Sequence, residues 1–250
     1  MNSGCEPPLE SELEDFAEIL RTEDSNGVPV IVGGHAAGLW SRYFMAGGVT
    51  ELAKYLPFRS KDLDVVGTNS LLEALHKRFK GRLSRSEPRS PVFGRLDIPQ
   101  PGGGFLRVEV LHTVLGLDAK DLARTVSIEI EGVTGRIPLP HLILKAKLAN
   151  AALIDQEGRQ DVKHASMMLL CVHAFIVELS GKCRAGLLGE RALVNLLGEI
   201  WDILSSPVAM KASELWGFDF TALWPVDGLK SLGEGKVSRW LQHRFPENPT

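Results

Sequence analysis

Val28-Pro29-Val30-Ile31-Val32-Gly33-Gly34 and, further on, Lys61-Asp62-Leu63-Asp64-Val65-Val66 are the stretches that decide how this chain is read. The first is an apolar run ending on two glycines, the pattern of a short buried strand (Val28 to Val32) that turns into a helix. Pro29 is tolerated because it sits near the strand's start. The second places two aspartates two positions apart on an apolar strand, Leu63 to Val66. Strand side chains alternate faces, so Asp62 and Asp64 point the same way, ~6–7 Å apart along the strand, while Leu63 and Val65 face a core. Two carboxylates side by side repel each other and are costly unless a cation sits between them. A hard divalent ion, Mg2+ or Mn2+, is the natural partner. Adjacent glycines at a helix start let a phosphate approach backbone N–H groups. Phosphates and a divalent ion together point to nucleotide chemistry.

Working outward, Ser11 and Glu14 have capping-box spacing, which predicts a helix running to about Arg21 with Leu13, Phe16, Ala17 and Leu20 on one side. Ser25-Asn26-Gly27 predicts a turn. A helix is expected from His35 to Phe44, broken by Gly47-Gly48, with a further helical piece from Val49 to Tyr55. Thr68-Asn69-Ser70 supplies an N-cap for a helix over Leu71 to Phe79. Lys80 to Pro91 is basic and interrupted by prolines, and reads as an exposed loop. Val92 to Ile98 and Phe105 to His112 read as strands joined by the turn-forming Pro99 to Gly104. A short helix (Leu117 to Arg124) and a hairpin (Ser127 to Glu131, Gly135 to Leu139) follow. From Pro140 the patterns are helical: His141 to Ile154, Asp161 to Leu179, Leu187 to Leu204 and Val237 to His243. The expectation is an α/β (α+β) domain, residues 1–139, with a mixed sheet and flanking helices, followed by a helical C-terminal domain, residues 140–250.

The 250 residues, 44% hydrophobic and 24% charged, are ordinary for a globular protein. A net charge of −3 argues against bulk coating of nucleic acid but leaves room for a local basic groove. Cys5, Cys171 and Cys183 form no C-x-x-C pair and suggest neither a disulfide framework nor a zinc site. Neither a signal peptide nor a membrane span is expected, so a cytoplasmic location is the default.

A third acid is needed to complete a metal site. Glu109, in Leu106-Arg107-Val108-Glu109-Val110-Leu111, has no packing reason to sit on so apolar a strand. The alternatives are a pair with Arg107 or a solvated face; Asp97 is the runner-up as ligand. Lys61, beside the aspartates, can bind phosphate or balance charge. Arg82, Arg85, Arg89 and Arg95 form a basic stretch that could touch RNA phosphates or be a solvated loop. The tryptophans Trp201, Trp216, Trp224 and Trp240 read as core or interface.

The order of these features resembles the nucleotidyltransferase superfamily of DNA polymerase β type: an apolar strand, Gly-Gly, a helix, an Asp-x-Asp strand and an acid on a later strand. Gly33-Gly34-His35-Ala36, Lys61 to Val65, Lys145-Ala146-Lys147-Leu148 and Arg159-Gln160-Asp161-Val162-Lys163-His164 are similar to the bacterial AbiEii-type and related uncharacterised members. The resemblance covers roughly residues 28 to 180. His35 stands where many members have Ser or Thr, and residues Met45 to Phe58 lengthen the gap to Asp62.

The resemblance implies a Mg2+-dependent transfer of a nucleoside monophosphate from an NTP, ATP among the candidates, to a hydroxyl of RNA, protein or a small molecule. Asp62, Asp64 and Glu109 would be the catalytic and metal residues. Gly33, Gly34, Lys61, Lys147, Arg159 and Lys163 would bind the nucleotide. A toxin–antitoxin role, a homodimer and a catalytically inactive binding protein of the same fold are further expectations from the same source.

Overall fold

The computed structural model describes residues 8–22, 28–130 and 133–245. The expected turn at Ser25-Asn26-Gly27 lies outside them. In chain order the elements are α1 (Ala17–Leu20), β1 (Val30–Ile31), α2 (Gly33–Ala46), β2 (Leu63–Val66), α3 (Asn69–Phe79), β3 (Arg82–Arg85), β4 (Val92–Pro99), β5 (Phe105–Leu111), α4 (Ala119–Ala123), β6 (Thr125–Ile130), β7 (Val133–Pro138), α5 (Pro140–Leu153), α6 (Asp161–Arg184), α7 (Glu190–Leu204), α8 (Pro207–Trp216), α9 (Val226–Lys230) and α10 (Lys236–Arg244). The seven strands form one mixed sheet in the order β3-β4-β5-β2-β1-β7-β6. β2 lies parallel to β5 and β1 parallel to β7; the other pairings are antiparallel. The α/β class with a mixed sheet and flanking helices is therefore the one observed.

The alternation in β2 and β5 explains why the sheet has two unlike faces. Leu63, Val65, Leu106, Val108 and Val110 are buried, together with Leu96 and Ile98 of β4. Leu71, Leu72 and Leu75 of α3 are fully buried, and α3 packs on β4 and β5. Burying each such side chain contributes on the order of 1.5–3 kcal/mol. α3 begins at Thr68, whose hydroxyl accepts from the Leu71 N–H, and ends at Lys80 in a left-handed conformation. The opposite face of β2, β5 and β4 carries the charged residues.

The helical part packs on α2. α5 and α6 form an extensive pair, and both contact α2. Trp40 of α2 donates its indole N–H to the Pro138 carbonyl at 2.9 Å, fixing α2 to the end of β7. α6 is long and apolar enough to cross a membrane by length and composition; here Met167, Met168, Cys171 and Val172 are buried in the core against α2 and α5. Trp201, Trp224 and Trp240 pack on one another and on Phe245, with ring centroids 5.4–6.2 Å apart, and Trp216 donates to the Ala151 carbonyl at 2.9 Å.

Three local expectations are corrected. The helix expected over Ser11 to Arg21 is a 3-10 turn (Leu13–Phe16) followed by the one-turn α1, and Ser11 bridges to Ser60 instead of capping it. Glu12 and Asp15 form the capping box. The Lys80 to Pro91 loop contains β3: Leu83 packs on the core and the sheet supplies hydrogen-bond partners that local propensity cannot foresee. The helical piece expected over Val49 to Tyr55 is a 3-10 helix, Thr50–Tyr55. α8 and α9, absent from the sequence reading, occupy the stretch between the last two expected helices.

Candidate active site

The parallel pairing of β2 with β5 sets Asp64 directly beside Glu109. Asp62, two residues earlier, falls on the same face. Ligand oxygens of Asp62, Asp64 and Glu109 lie within 4.8 Å of one another, and all three side chains are half-buried. Three like charges in so small a volume work against ionisation. Burial, then the Asp62 and Glu109 charges, hold the Asp64 carboxyl well above its ordinary range, while Lys147 opposes this. Glu109 is also raised, by burial and then by Asp62, with Arg95, Arg107 and Arg159 acting against the rise. A cluster that resists full ionisation on its own is one that a divalent cation would complete.

The glycine turn closes the other side. Gly33 has φ +67°, a left-handed conformation that side chains rarely adopt, and a Cβ there would collide with Asp64 Oδ2. The backbone at the start of α2 thus lies against an acid of the cluster. A Cβ on Gly34 would stand 2.6 Å from Ser60 Oγ and 3.0 Å from His164 Cε1. Ser60 is buried and donates to Asp62 Oδ1 at 3.4 Å. Its hydroxyl stands beside the turn, where His35 itself offers none. His35 points into the core, edge-on to Phe16 with ring centroids 5.2 Å apart. Burial, then Arg42, lower its pKa to about 3, so the ring is neutral.

The far wall comes from α5 and α6. Lys147 Nζ lies 2.8 Å from Asp161 Oδ1, with the two side chains 7% and 3% exposed. Asn150 donates to the same oxygen at 3.0 Å, and Arg159 Nε donates to Oδ2 at 2.7 Å. Burial alone would raise Asp161; Lys147 and the hydrogen bonds from Lys147, Asn150 and Arg159 hold it far below the usual range. Lys147 is thus neither a solvated lysine nor a free one. Lys145, on a different face of α5, pairs with Asp121 at 2.7 Å. His164 is buried beside Gly34, and burial followed by Lys147 keeps it neutral. Its Nδ1 has no hydrogen-bond partner among the described residues.

The remaining expected residues are more peripheral. Lys61 is exposed and donates to the Gly158 carbonyl at 3.4 Å, reaching the loop before α6. Lys163 is half-buried and makes no ion pair with a described residue. Arg107 forks onto Asp97 at 2.7 and 3.0 Å, not onto Glu109. That pairing occupies Asp97, whereas Glu109 faces Arg95 Nε at 3.5 Å. Ser60, Asn150 and His164 join the site without having been singled out as ligand groups. Ser60 had a legible signal, since it continues the alternation of Asp62 and Asp64.

No family model matches the chain, and no curated protein matches it. Among solved structures, it is similar to the crystal structure of an antigenic nucleotidyltransferase-like protein from Paracoccidioides brasiliensis, with 20% identity, a TM-score of 0.40, and coverage of 65% of this chain and 78% of that one.

Proposed function

We propose that this chain is a divalent-cation-dependent nucleotidyltransferase that moves a nucleoside monophosphate from an NTP to a hydroxyl acceptor and releases pyrophosphate. The observation that carries the reading is the convergence of Asp62, Asp64 and Glu109 beside the left-handed Gly33 turn. These three carboxylates would hold Mg2+ or Mn2+, which when bound supplies charge stabilisation at the transferring phosphoryl group. The backbone at Gly33 and Gly34 lies close against Asp64 and Ser60, and the N–H groups at the start of α2 would draw phosphate oxygens to this side of the acids. Lys147 and Arg159, held in place by Asp161, set positive charge opposite the acids. Lys61 and Lys163 would add to this at the rim. Glu109, on the strand beside Asp64, would hold one metal or take the proton of an acceptor hydroxyl.

The likeness of Gly33 to Ala36 and of the α5 and α6 motifs to AbiEii-type proteins extends the proposal to a toxin–antitoxin setting. A second reading, an inactive binding or regulatory protein of the same fold, rests on His35 at the position of a phosphate-binding hydroxyl. The Ser60 hydroxyl beside Gly34 favours the active form.

The deciding experiment is a thermal-shift titration of wild type and Asp62→Ala/Asp64→Ala with each NTP, with and without Mg2+, followed by a transfer assay with labelled NTP. A ligand at about 100 times its dissociation constant adds about 2.7 kcal/mol. A Mg2+-dependent shift confined to wild type, followed by label transfer, is expected. A shift without transfer favours the inactive reading, and no shift with any NTP removes the nucleotide site.

A further inference from the structure

The charged face of the sheet continues past Glu109 to the β3 edge. Ser84, Arg95 and Glu109 are paired across β3, β4 and β5, as are Arg82, Asp97 and Arg107. Paired residues share a face, so all of these look the same way as Asp64. A cavity of about 540 Å3 opens on this edge, lined among others by Arg82, Ser84, Arg85, Ser90, Arg95 and Arg107. Its charges are unequally engaged. Arg107 is committed to Asp97, and Arg85 pairs with Glu73 and donates to Asn69. Arg95 Nε stands 3.5 Å from Glu109, and Arg82 makes no ion pair with a described residue. Glu87 is the exposed opposing charge on the rim.

We infer that this groove holds the phosphodiester backbone of a single-stranded nucleic acid whose terminal hydroxyl is the acceptor, an inference that rests on the nucleotidyl-transfer reading. Guanidinium forks flanked by serine hydroxyls match the oxygens of a phosphate. Strands are ~4.8 Å apart, which sets Arg82, two strands from β5, ~10 Å from the acid cluster. No aromatic side chain lines the cavity among the described residues, so the grip is on backbone and not on stacked bases. Arg82 and Arg107 lie on one strand-to-strand line with Asp97 between them, and Arg95 lies on the adjacent line between Ser84 and Glu109.

The test is fluorescence anisotropy of a labelled single-stranded RNA of about a dozen nucleotides on the full chain over a range of salt. The proteins are wild type, Arg82→Ala/Arg95→Ala and Arg82→Lys/Arg95→Lys. The alanine pair is expected to bind at least about tenfold more weakly, with a salt slope shallower by about 1.4, since each phosphate contact contributes about 0.7. The lysine pair restores the slope, which separates lost charge from lost structure. Absence of binding by wild type, or equal binding by the alanine pair, overturns the inference. So does displacement of the RNA by tripolyphosphate or by an acidic peptide at matched charge, which would mark a small-anion or protein site. The Mg–NTP thermal shift of wild type is measured in parallel. A shift accompanied by arginine-independent RNA binding removes this inference alone. Arginine-dependent binding without a shift removes nucleotidyl transfer.

Discussion

Replacing Asp64 by Asn removes a charge from a crowded cluster and is expected to stabilise the metal-free protein. Its ligand oxygen lies within 4.8 Å of those of Asp62 and Glu109. At that distance one pair of like charges repels by about 0.9 kcal/mol at the dielectric of water and about 3.5 kcal/mol at an effective value of ~20. Lys147 offsets part of this, and the cluster is partly solvated, so the net relief is about 1–3 kcal/mol. For a chain of this size that corresponds to a rise of about 2–12 °C in melting temperature. The pH dependence has a definite sign. A carboxyl whose folded pKa is raised contributes its full stability below its unfolded value, near 3.8, and loses it as the pH rises through the folded value. Wild type in chelator should therefore lose stability from weakly acid to weakly alkaline pH, and Asp64→Asn should lose much less. Added Mg2+ or Mn2+ should reverse the order, raising wild type and leaving the variant unmoved. Melting curves of both proteins with chelator and with cation, across that pH range, supply the check. A metal-free Asp64→Asn that melts below wild type at alkaline pH would refute the electrostatic account.

Three further outcomes are expected. Lys147→Met leaves Asp161 buried with only Asn150 and Arg159, and breaking such a pair costs about 3 kcal/mol, or about 6–12 °C. Adding Asp161→Asn should recover part of that loss in a double-mutant cycle of melting temperatures, and no recovery would deny the pairing. Gly33→Ala forces a side chain into a left-handed conformation against Asp64, at about 1–3 kcal/mol, and abolishes the Mg–NTP thermal shift; a variant that keeps the shift contradicts the phosphate turn. Glu199 is held down to about 2, chiefly by His141 and then by Arg124. Its contribution of about 1–3 kcal/mol is present above 4.5 and is lost as the pH falls toward 2, so acid titration of Glu199→Gln should show a shallower loss than wild type.

Much of the plan is local and therefore legible in the chain. Period-two alternation in Leu63 to Val66 and Phe105 to Leu111 announces strands with one apolar and one acidic face, and Thr68 announces the start of α3. The two glycines announce a turn no side chain could fill. What local pattern could not supply is register between segments distant in sequence. Arg82 to Arg85 has no strand signal of its own and becomes β3 because β4 offers an unpaired edge. Glu109 is the first candidate for the third acid and Asp97 the runner-up; the register sets Glu109 beside Asp64, and Asp97 pairs with Arg107. Lys147 reads equally as a phosphate-binding or a solvated lysine until α5 and α6 pack together and bury it on Asp161. The sequence by itself determined the class of the fold and that Asp62 and Asp64 share one face, because both follow from side-chain periodicity along single strands. Only the tertiary structure decided which acid completes the cluster, which cation stands opposite it and where the basic groove lies, because each depends on which strands and helices become neighbours.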